Sequence, residues 1–460
     1  MDGFSQVLWD RMPLAEAVML LLRHVAPAEF VNDVFDRHRG RCYQGDLSFD
    51  NLVELVQAAL LVHAGSGRQS FEQARQEDRL DVTNAAAYGK LRRVPLAVSE
   101  ALLAETGDRL REIQPAMTAR RLPACLGEFV VFHVDGKKIK CLAKRLKPLR
   151  GVSGSLLGGK VLVALAARPG LAVAFAGTLD GEANDAPLVP ALLPQVRTRV
   201  SGRRLWIVDR QFCDLIIPAL LSAENDAFLS RHCLKLHFHA DPSRPARESR
   251  DAQGRLIREE WGWIGGPRDP RRMAVRRITL ERPGEESVIV LTNLLEGEQY
   301  PAADLLAAYR ERWQIERVFQ QVTEVFQLQR LIGSSPAAAV FQASFCLLLY
   351  NLIQTLRGYV AQEHDREPET ISSELLFRDV QRQLICWTEL GHRQIPARIL
   401  DQSPVATDVQ QRLSAILRLC WSNRWQKSPA KQRWRPTTQV HVPGGHSSAW
   451  KILQAPAPDG

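Results

Sequence analysis

The chain is poor in the features that commit a sequence to secretion, structural zinc or a membrane. Its eight cysteines, at 42, 125, 141, 213, 233, 346, 386 and 420, are scattered through 460 residues and form no C-x-x-C pair. That usage argues against a disulfide framework or a zinc ribbon and for reduced thiols. Asp2, Asp10 and Arg11 interrupt the first turns and the apolar run Ala17 to Leu22 is short, so no secretory segment is expected. The most hydrophobic stretch, Ala337 to Leu356, contains Gln342, Ser344, Asn351 and Gln354, which predicts a buried helix with no membrane span. Acids are the minority charge: 51 Asp and Glu against 60 Lys and Arg give a net +9 and a pI near 9.3. Such a balance favours a polyanionic partner.

The length predicts two to four folding units. Residues 1–115 read as helical, with apolar periodicity in Leu14 to Val25, Leu52 to Val62 and Leu96 to Leu110. Within them, a helix over Phe71 to Gln76 and a second one capped by Thr83 or Asn84 end in Lys90, Arg92 and Arg93 before Pro95. Two short helices with a basic end suggest a helix-turn-helix-like DNA reader; a surface helix with solvated cations fits as well.

From about 125 the pattern turns to strands. Phe129 to Val134, Ile139 to Lys144, Val161 to Ala166 and Leu171 to Ala176 suit an antiparallel meander with turns at Asp135-Gly136 and Pro169-Gly170. A helix over Asn184 to Val200, a strand over Arg204 to Val208 and a helix over Gln211 to Ala223 follow. This order makes residues 116–227 the first part of an α/β, RNase H-like core. Residues 228–300 return to strands (Phe228 to His239, Leu256 to Trp263, Met273 to Leu280, Ser287 to Thr292) and read as a β-rich insertion. Residues 301–370 hold the second part of the core, and 371–460 a helical C-terminal region with a basic tail.

Three acids carry the chemistry. Asp135 and Asp209 each end an apolar run, Phe129 to Val134 and Leu205 to Val208, and so are expected at the carboxyl ends of strands, where open α/β sheets build their sites. Glu316 lies on a helix with Tyr309 and Arg312 at i, i+3 and i+7, a spacing that gathers the three side chains within about 60°. Ile315, Val318, Val322 and Val325 fall on the opposite, core-facing side. Alternatives remain for each acid: Asp135-Gly136 is a hairpin-turn pair, Asp209 could cap the next helix, and the stripe with Glu316 could be the solvated face of an amphipathic helix. Asp180, Glu182, Asp185 and Asp214 are competitors that close no apolar strand.

Asp135, Asp209 and Tyr309-x2-Arg312-x3-Glu316, with a β-rich stretch between the second and third acids, resemble the bacterial insertion-sequence transposases of the DDE type. The resemblance is to the branch with a Y-x2-R-x3-E-x6-K signature and extends to Leu291-Thr292-Asn293-Leu294. The signature lysine falls on Thr323. The resemblance implies that Asp135, Asp209 and Glu316 hold Mg2+, with Mn2+ as a substitute, Asp135 bridging two ions about 4 Å apart. It implies cleavage at transposon ends and joining of the 3′ hydroxyl to target DNA. Double-stranded DNA (terminal repeats and target) and a homodimer in a synaptic complex are the implied partners, with no membrane, in the cytoplasm at the bacterial nucleoid. Tyr309 and Arg312 would hold a phosphate.

Two basic stretches add to this. Lys137, Lys138, Lys140, Lys144, Arg145, Lys147 and Arg150 follow the first acid with no acid among them, either a DNA-facing surface or a solvated run. Trp421, Arg424, Trp425, Lys427, Lys431, Arg433, Trp434 and Arg435 interleave indoles and cations, as stacking on unpaired bases or an amphipathic helix would. Residues after about Pro436 read as poorly ordered. His232, Cys233, His237 and His239 are the only dense group of soft ligands; without a partner cluster, a polar strand face is expected.

Overall fold

The computed structural model describes residues 11–115, 122–140, 142–282, 284–390, 405–427 and 446–454. The N-terminal part is built from α1 (Pro13–Val25), α2 (Ala28–His38), α3 (Phe49–Leu61), α4 (Gly67–Gln76), α5 (Asn84–Arg93) and α6 (Leu96–Glu112). The three apolar periodicities coincide with α1, α3 and α6. Thr83 caps α5, its hydroxyl oxygen accepting from the Ala86 amide at 3.2 Å.

A mixed sheet of ten strands follows, flanked by helices. It comprises β1 (Phe129–Lys138), β3 (Lys160–Ala166), β4 (Ala172–Thr178), β5 (Arg203–Val208), β6 (Ala227–Arg231), β7 (Phe238–Ala240), β8 (Arg247–Arg250), β9 (Leu256–Ile264), β10 (Met273–Leu280) and β11 (Val288–Thr292). The strand order is β4-β3-β1-β5-β6-β11-β10-β9-β7, with β8 also on β9. β1, β5 and β6 are parallel; the other pairings are antiparallel. The strands between 228 and 300 therefore continue the sheet outward from β6.

Period-2 alternation divides β1 between two faces. Phe132 and Val134 pack with Trp206, Leu192 and Val196 under α7 (Val189–Arg197), and Phe129 and Val131 with Leu205, Leu305 and Leu306 under α9 (Ala302–Arg310). Helix α10 (Trp313–Glu324) and the long α11 (Pro336–Glu363) join the N-terminal helices, α12 (Ser373–Leu390) and α13 (Ala406–Leu417) in the largest core. The apolar window of α11 is 94% buried, so its hydrophobicity is matched by protein. Its polar interruptions hold neighbouring backbone: Asn351 bonds both the amide and the carbonyl of Ala172, and Gln342 accepts from the Ile332 amide. Each such bond is worth about 1 kcal/mol when made and more than that if left open.

Several expected elements differ. Asp135-Gly136 is no turn: β1 runs through it, Asp135 facing Val163 and Gly136 facing Leu162 of β3. Gly136 is needed because the Asp185 carboxylate occupies the place where a Cβ would stand. Among the described residues of Ile139 to Lys144 no strand forms, and the short β2 (Ser155–Leu157) precedes β3 instead. The helix expected over Gln211 to Ala223 shrinks to α8 (Ile217–Leu221), because Asp214 caps the amides of Ile216 and Ile217 ahead of Pro218. The strand expected over Phe228 to His239 is split into β6 and β7 by a turn that closes from Leu236 N to Cys233 O. Beyond Pro436, β12 (His446–Ser448) adds in parallel to β2 and leads into α14 (Ala449–Gln454), with Lys451 on Glu182 at 2.9 Å.

Candidate active site

Parallel pairing sets the first two acids side by side. β1 and β5 run in register from Phe129↔Arg203 to Val134↔Val208, so Asp135 and Asp209 come next on adjacent strands at the same end. Beneath them Phe132 and Trp206 stack with ring centroids 5.1 Å apart. Asp135 Oδ1 accepts from the Gly136 amide at 2.9 Å. Asp209 precedes a short 3-10 turn (Arg210–Phe212) without capping it, which leaves its carboxylate available. Ser230, on the third parallel strand, donates to the Asp209 carbonyl at 3.5 Å.

The third acid arrives from the other side of the strand ends. Tyr309 and Glu316 are on separate helices, since α9 ends at Arg310 and α10 starts at Trp313. Glu311 N, Arg312 N, Gln314 N and Ile315 N all bond to carbonyls three residues back. This tight 3-10-like passage keeps i and i+3 side chains aligned, so Tyr309 and Arg312 stay together although the helix does not continue. Ile315, Val318 and Val322 are buried on the core side as expected.

Arg312 is the hub. Its Nη2 donates to Glu316 Oε1 at 3.0 Å and its Nη1 stands 3.6 Å from Asp135 Oδ2, while the residue is only 7% exposed. Burial alone would lower this guanidinium, but Tyr309, Asp209, Asp135 and Glu316 around it outweigh that and raise it. Its Nε and Nη1 have no hydrogen-bond partner among the described residues. Asp135 is pushed up to about 6, first by burial and then by Asp185 and Asp209, against the Gly136 amide and Arg312. Tyr309 is pushed up to about 12, chiefly by burial, so its hydroxyl keeps its proton and can donate.

The donor types suit a hard divalent cation: the side chains are carboxylates, and Asp135 is half-buried. Among the described residues, however, no three His, Cys, Asp or Glu side chains stand close enough to share an ion. Between Asp135 and Glu316 the cation at hand is Arg312. Asp185, the nearest rival acid, is buried and paired with Lys160 and Gln211.

The cations divide. Lys138 and Lys140 are exposed on the segment leaving the site; Lys137 is half-buried 5.9 Å from the Phe319 ring, and burial and Lys140 lower it. Arg92 and Arg93 are exposed. Lys90 is not available to DNA: it is buried, its ammonium donates to the Gln44 and Leu47 carbonyls, and burial pushes it down to about 8. Thr323 turns its hydroxyl onto the Phe319 carbonyl at 2.6 Å. The turn after β6 separates Cys233 from His237 and His239, and no soft-ligand metal group forms among the described residues. Trp425 is buried on Asp379 and Trp421 lies under Arg366, while Lys431, Arg433, Trp434 and Arg435 fall outside the described residues.

Two residues near the site are not marked by the sequence pattern. Arg231 ends the third parallel strand within electrostatic reach of Tyr309; its place at a strand end was the available signal. Trp313, beside Arg312, is 60% exposed, an unusual position for an indole that one apolar letter in a helix does not reveal.

Residues 134–352 match the family described as "Transposase DDE domain", a span that contains all three acids. Over 80 residues the chain is 28% identical to "Putative transposase y4zB" of Sinorhizobium fredii (strain NBRC 101917 / NGR234), covering 17% of this chain and 22% of that protein. Among solved structures, the piggyBac transposase synaptic complex with hairpin DNA aligns at a TM-score of 0.37 and 13% identity, over 90% of this chain and 78% of that one.

Proposed function

We propose that this chain is a DDE transposase, which cleaves phosphodiester bonds at transposon ends and joins the 3′ ends to target DNA. The reading is carried by one buried arginine, Arg312, which pairs with Asp135 and Glu316 and is within electrostatic reach of Asp209, inside the span that matches the transposase DDE domain. The strand order β4-β3-β1-β5-β6, three antiparallel strands followed by two more parallel to the first, supports an RNase H-like core.

Asp135, Asp209 and Glu316 would hold Mg2+, with Mn2+ as a substitute; bound there, the ions supply an activated water, charge neutralisation and support for the leaving 3′ oxygen. The chain's own residues do the rest. Arg312 has to leave the carboxylates for them to gather, and its Nε and Nη1, which have no hydrogen-bond partner among the described residues, are the donors from which a phosphate oxygen would accept. Tyr309, protonated throughout the physiological range, adds a hydroxyl donor. Lys137, Lys138, Lys140, Arg92 and Arg93 remain as backbone contacts; Lys90 does not. A homodimer that pairs two DNA ends, acting on the bacterial nucleoid in the cytoplasm, completes the proposal.

The test is incubation with Mg2+ and labelled DNA carrying the inverted repeats that flank the coding region. Joined products are expected, and Glu316→Gln should still bind the DNA while losing cleavage by roughly a thousandfold or more, about 4 kcal/mol of transition-state stabilisation. Cuts without joining would make the protein a metal-dependent nuclease. A shifted but intact duplex would make it an inert DNA-binding descendant, the reading that Thr323 in the signature lysine's place favours.

A further inference from the structure

The N-terminal helices meet the catalytic half at a seam that the site above leaves unexplained. The turn between α3 and α4 lies against the segment following α10. Two glycines make the approach possible. A Cβ on Gly65, whose φ is +86°, would stand 3.0 Å from the Arg330 Cβ and 3.3 Å from that of Gln327, and a Cβ on Gly67 would collide with Ile332 Cγ2. Arg330 Nη1 donates across the seam to the Ala64 carbonyl at 3.2 Å.

The seam opens into a groove of about 580 Å³ whose lining includes His63, Ser66, Arg68, Gln69, Glu72 and Arg330. Beside it, Tyr88 of α5 meets Arg145 of the basic loop, with Arg68 within electrostatic reach. Two arginines from distant parts of the chain thus line the groove, Arg68 on α4 and Arg330 after α10, and a third, Arg145 after β1, stands beside it at Tyr88. Among the described residues Glu72 is the single acid lining the groove, and it holds Arg68 at 2.7 Å.

We propose that this groove receives the phosphodiester backbone of a DNA duplex whose end lies at Asp135, Asp209 and Glu316, so that one DNA molecule touches the helical region and the catalytic sheet of the same chain. The proposal rests on the functional reading above. Arginine forks match phosphate oxygens, and a concave site with a surplus of them suits a polyanion better than a neutral ligand. Helix α10 sets the spacing: Glu316 is near its start and the groove just past its end. From Glu316 to Glu324 the helix rises about 12 Å, and the stretch on to Arg330 adds about one further turn's length, together roughly five base-pair steps of about 3.4 Å. The contact therefore falls roughly five base pairs inside the cleaved bond.

The full-length protein and the double variant Arg68→Gln/Arg145→Gln would be compared on a 40-base-pair terminal-repeat duplex, by salt titration of binding and by phosphate-ethylation interference. Arg68 is 79% exposed and Arg145 is on the surface, so both variants should fold as the parent does. The expected result is a log K against log salt slope shallower by about two, at about 0.9 per phosphate. Interference about five base pairs in should disappear while interference at the cut remains. Glu72→Gln should act the other way and tighten binding several-fold. Unchanged slope and footprint in the double variant, or no duplex binding by the parent, would overturn the groove. Cleavage at the end with an unchanged footprint would sink the groove and leave the transposase reading standing. A lost footprint without any metal-dependent cleavage would do the reverse.

Discussion

Two buried acid–arginine clusters sit at opposite ends of the same parallel strands, and they are built to opposite specifications. At the amino ends, fully buried Asp226 accepts from Arg197 Nε and Nη2, Arg204 N and Nη1, and Trp206 Nε1, at 3.0 to 3.1 Å. At the carboxyl ends, Asp135 accepts one backbone amide and faces Arg312 at 3.6 Å, beyond hydrogen-bond range. Arg312 in turn keeps Nε and Nη1 without a hydrogen-bond partner among the described residues. The first cluster satisfies its carboxylate with five donors, leaving Arg204 Nε without a hydrogen-bond partner among the described residues, and so serves the fold. The second leaves acceptors and donors open in a buried place, which costs stability and makes sense where a ligand is to supply the partners.

Breaking the satisfied cluster should have the larger effect. Asp226→Asn strands two arginines and should destabilise the protein by about 3–5 kcal/mol in denaturant titration. A loss below about 1 kcal/mol would remove the distinction between the clusters.

Relieving the open cluster should stabilise. Asp135 titrates near 6 when folded against an ordinary 3.8, so the folded state holds this proton more tightly than the unfolded chain does. Its contribution is most favourable below about pH 4 and is lost as the pH rises through 6. A tenfold change in proton affinity is worth about 1.4 kcal/mol. In divalent-free buffer, Asp135→Asn should therefore raise stability at pH 7 by roughly 1–3 kcal/mol, with little gain at pH 4. A variant less stable than the parent at pH 7 would mean that Arg312 compensates Asp135 fully.

The same contrast divides the cations of α5. Lys90→Met leaves the carbonyls of Gln44 and Leu47 unpaired and should cost about 1–2 kcal/mol with DNA affinity unchanged. Smaller still, Arg92→Gln/Arg93→Gln should leave the melting temperature in place and reduce the salt dependence of DNA binding by about two phosphates. Exchange of these two phenotypes would invert the assignment.

The elements that carry this candidate site were legible in the sequence, for local reasons. Asp135 and Asp209 close apolar runs that pair as parallel strands, and Ile315, Val318 and Val322 mark the buried side of α10. The misreadings are non-local. Asp135-Gly136 has the propensity of a turn, yet Asp185, far along the chain, packs where a side chain would go and the strand runs on. Nothing in the 228–300 pattern tells strands that extend a sheet from strands that form their own. The break between α9 and α10 leaves the i, i+3 relation intact and so is invisible to a periodicity argument. Lys90 could have been found: Ala87, Lys90, Leu91 and Val94 form a buried stripe at i, i+3, i+4 and i+7.

Iron-directed cleavage of the DNA-bound protein tests the shared cation site most directly. With Fe2+ replacing Mg2+ and ascorbate added, hydroxyl radicals cut the polypeptide beside whatever holds the ion. Cuts near 135, 209 and 316 together, all suppressed by excess Mg2+, are the expected result; cuts near one acid alone, or none that Mg2+ suppresses, would contradict a site built from the three.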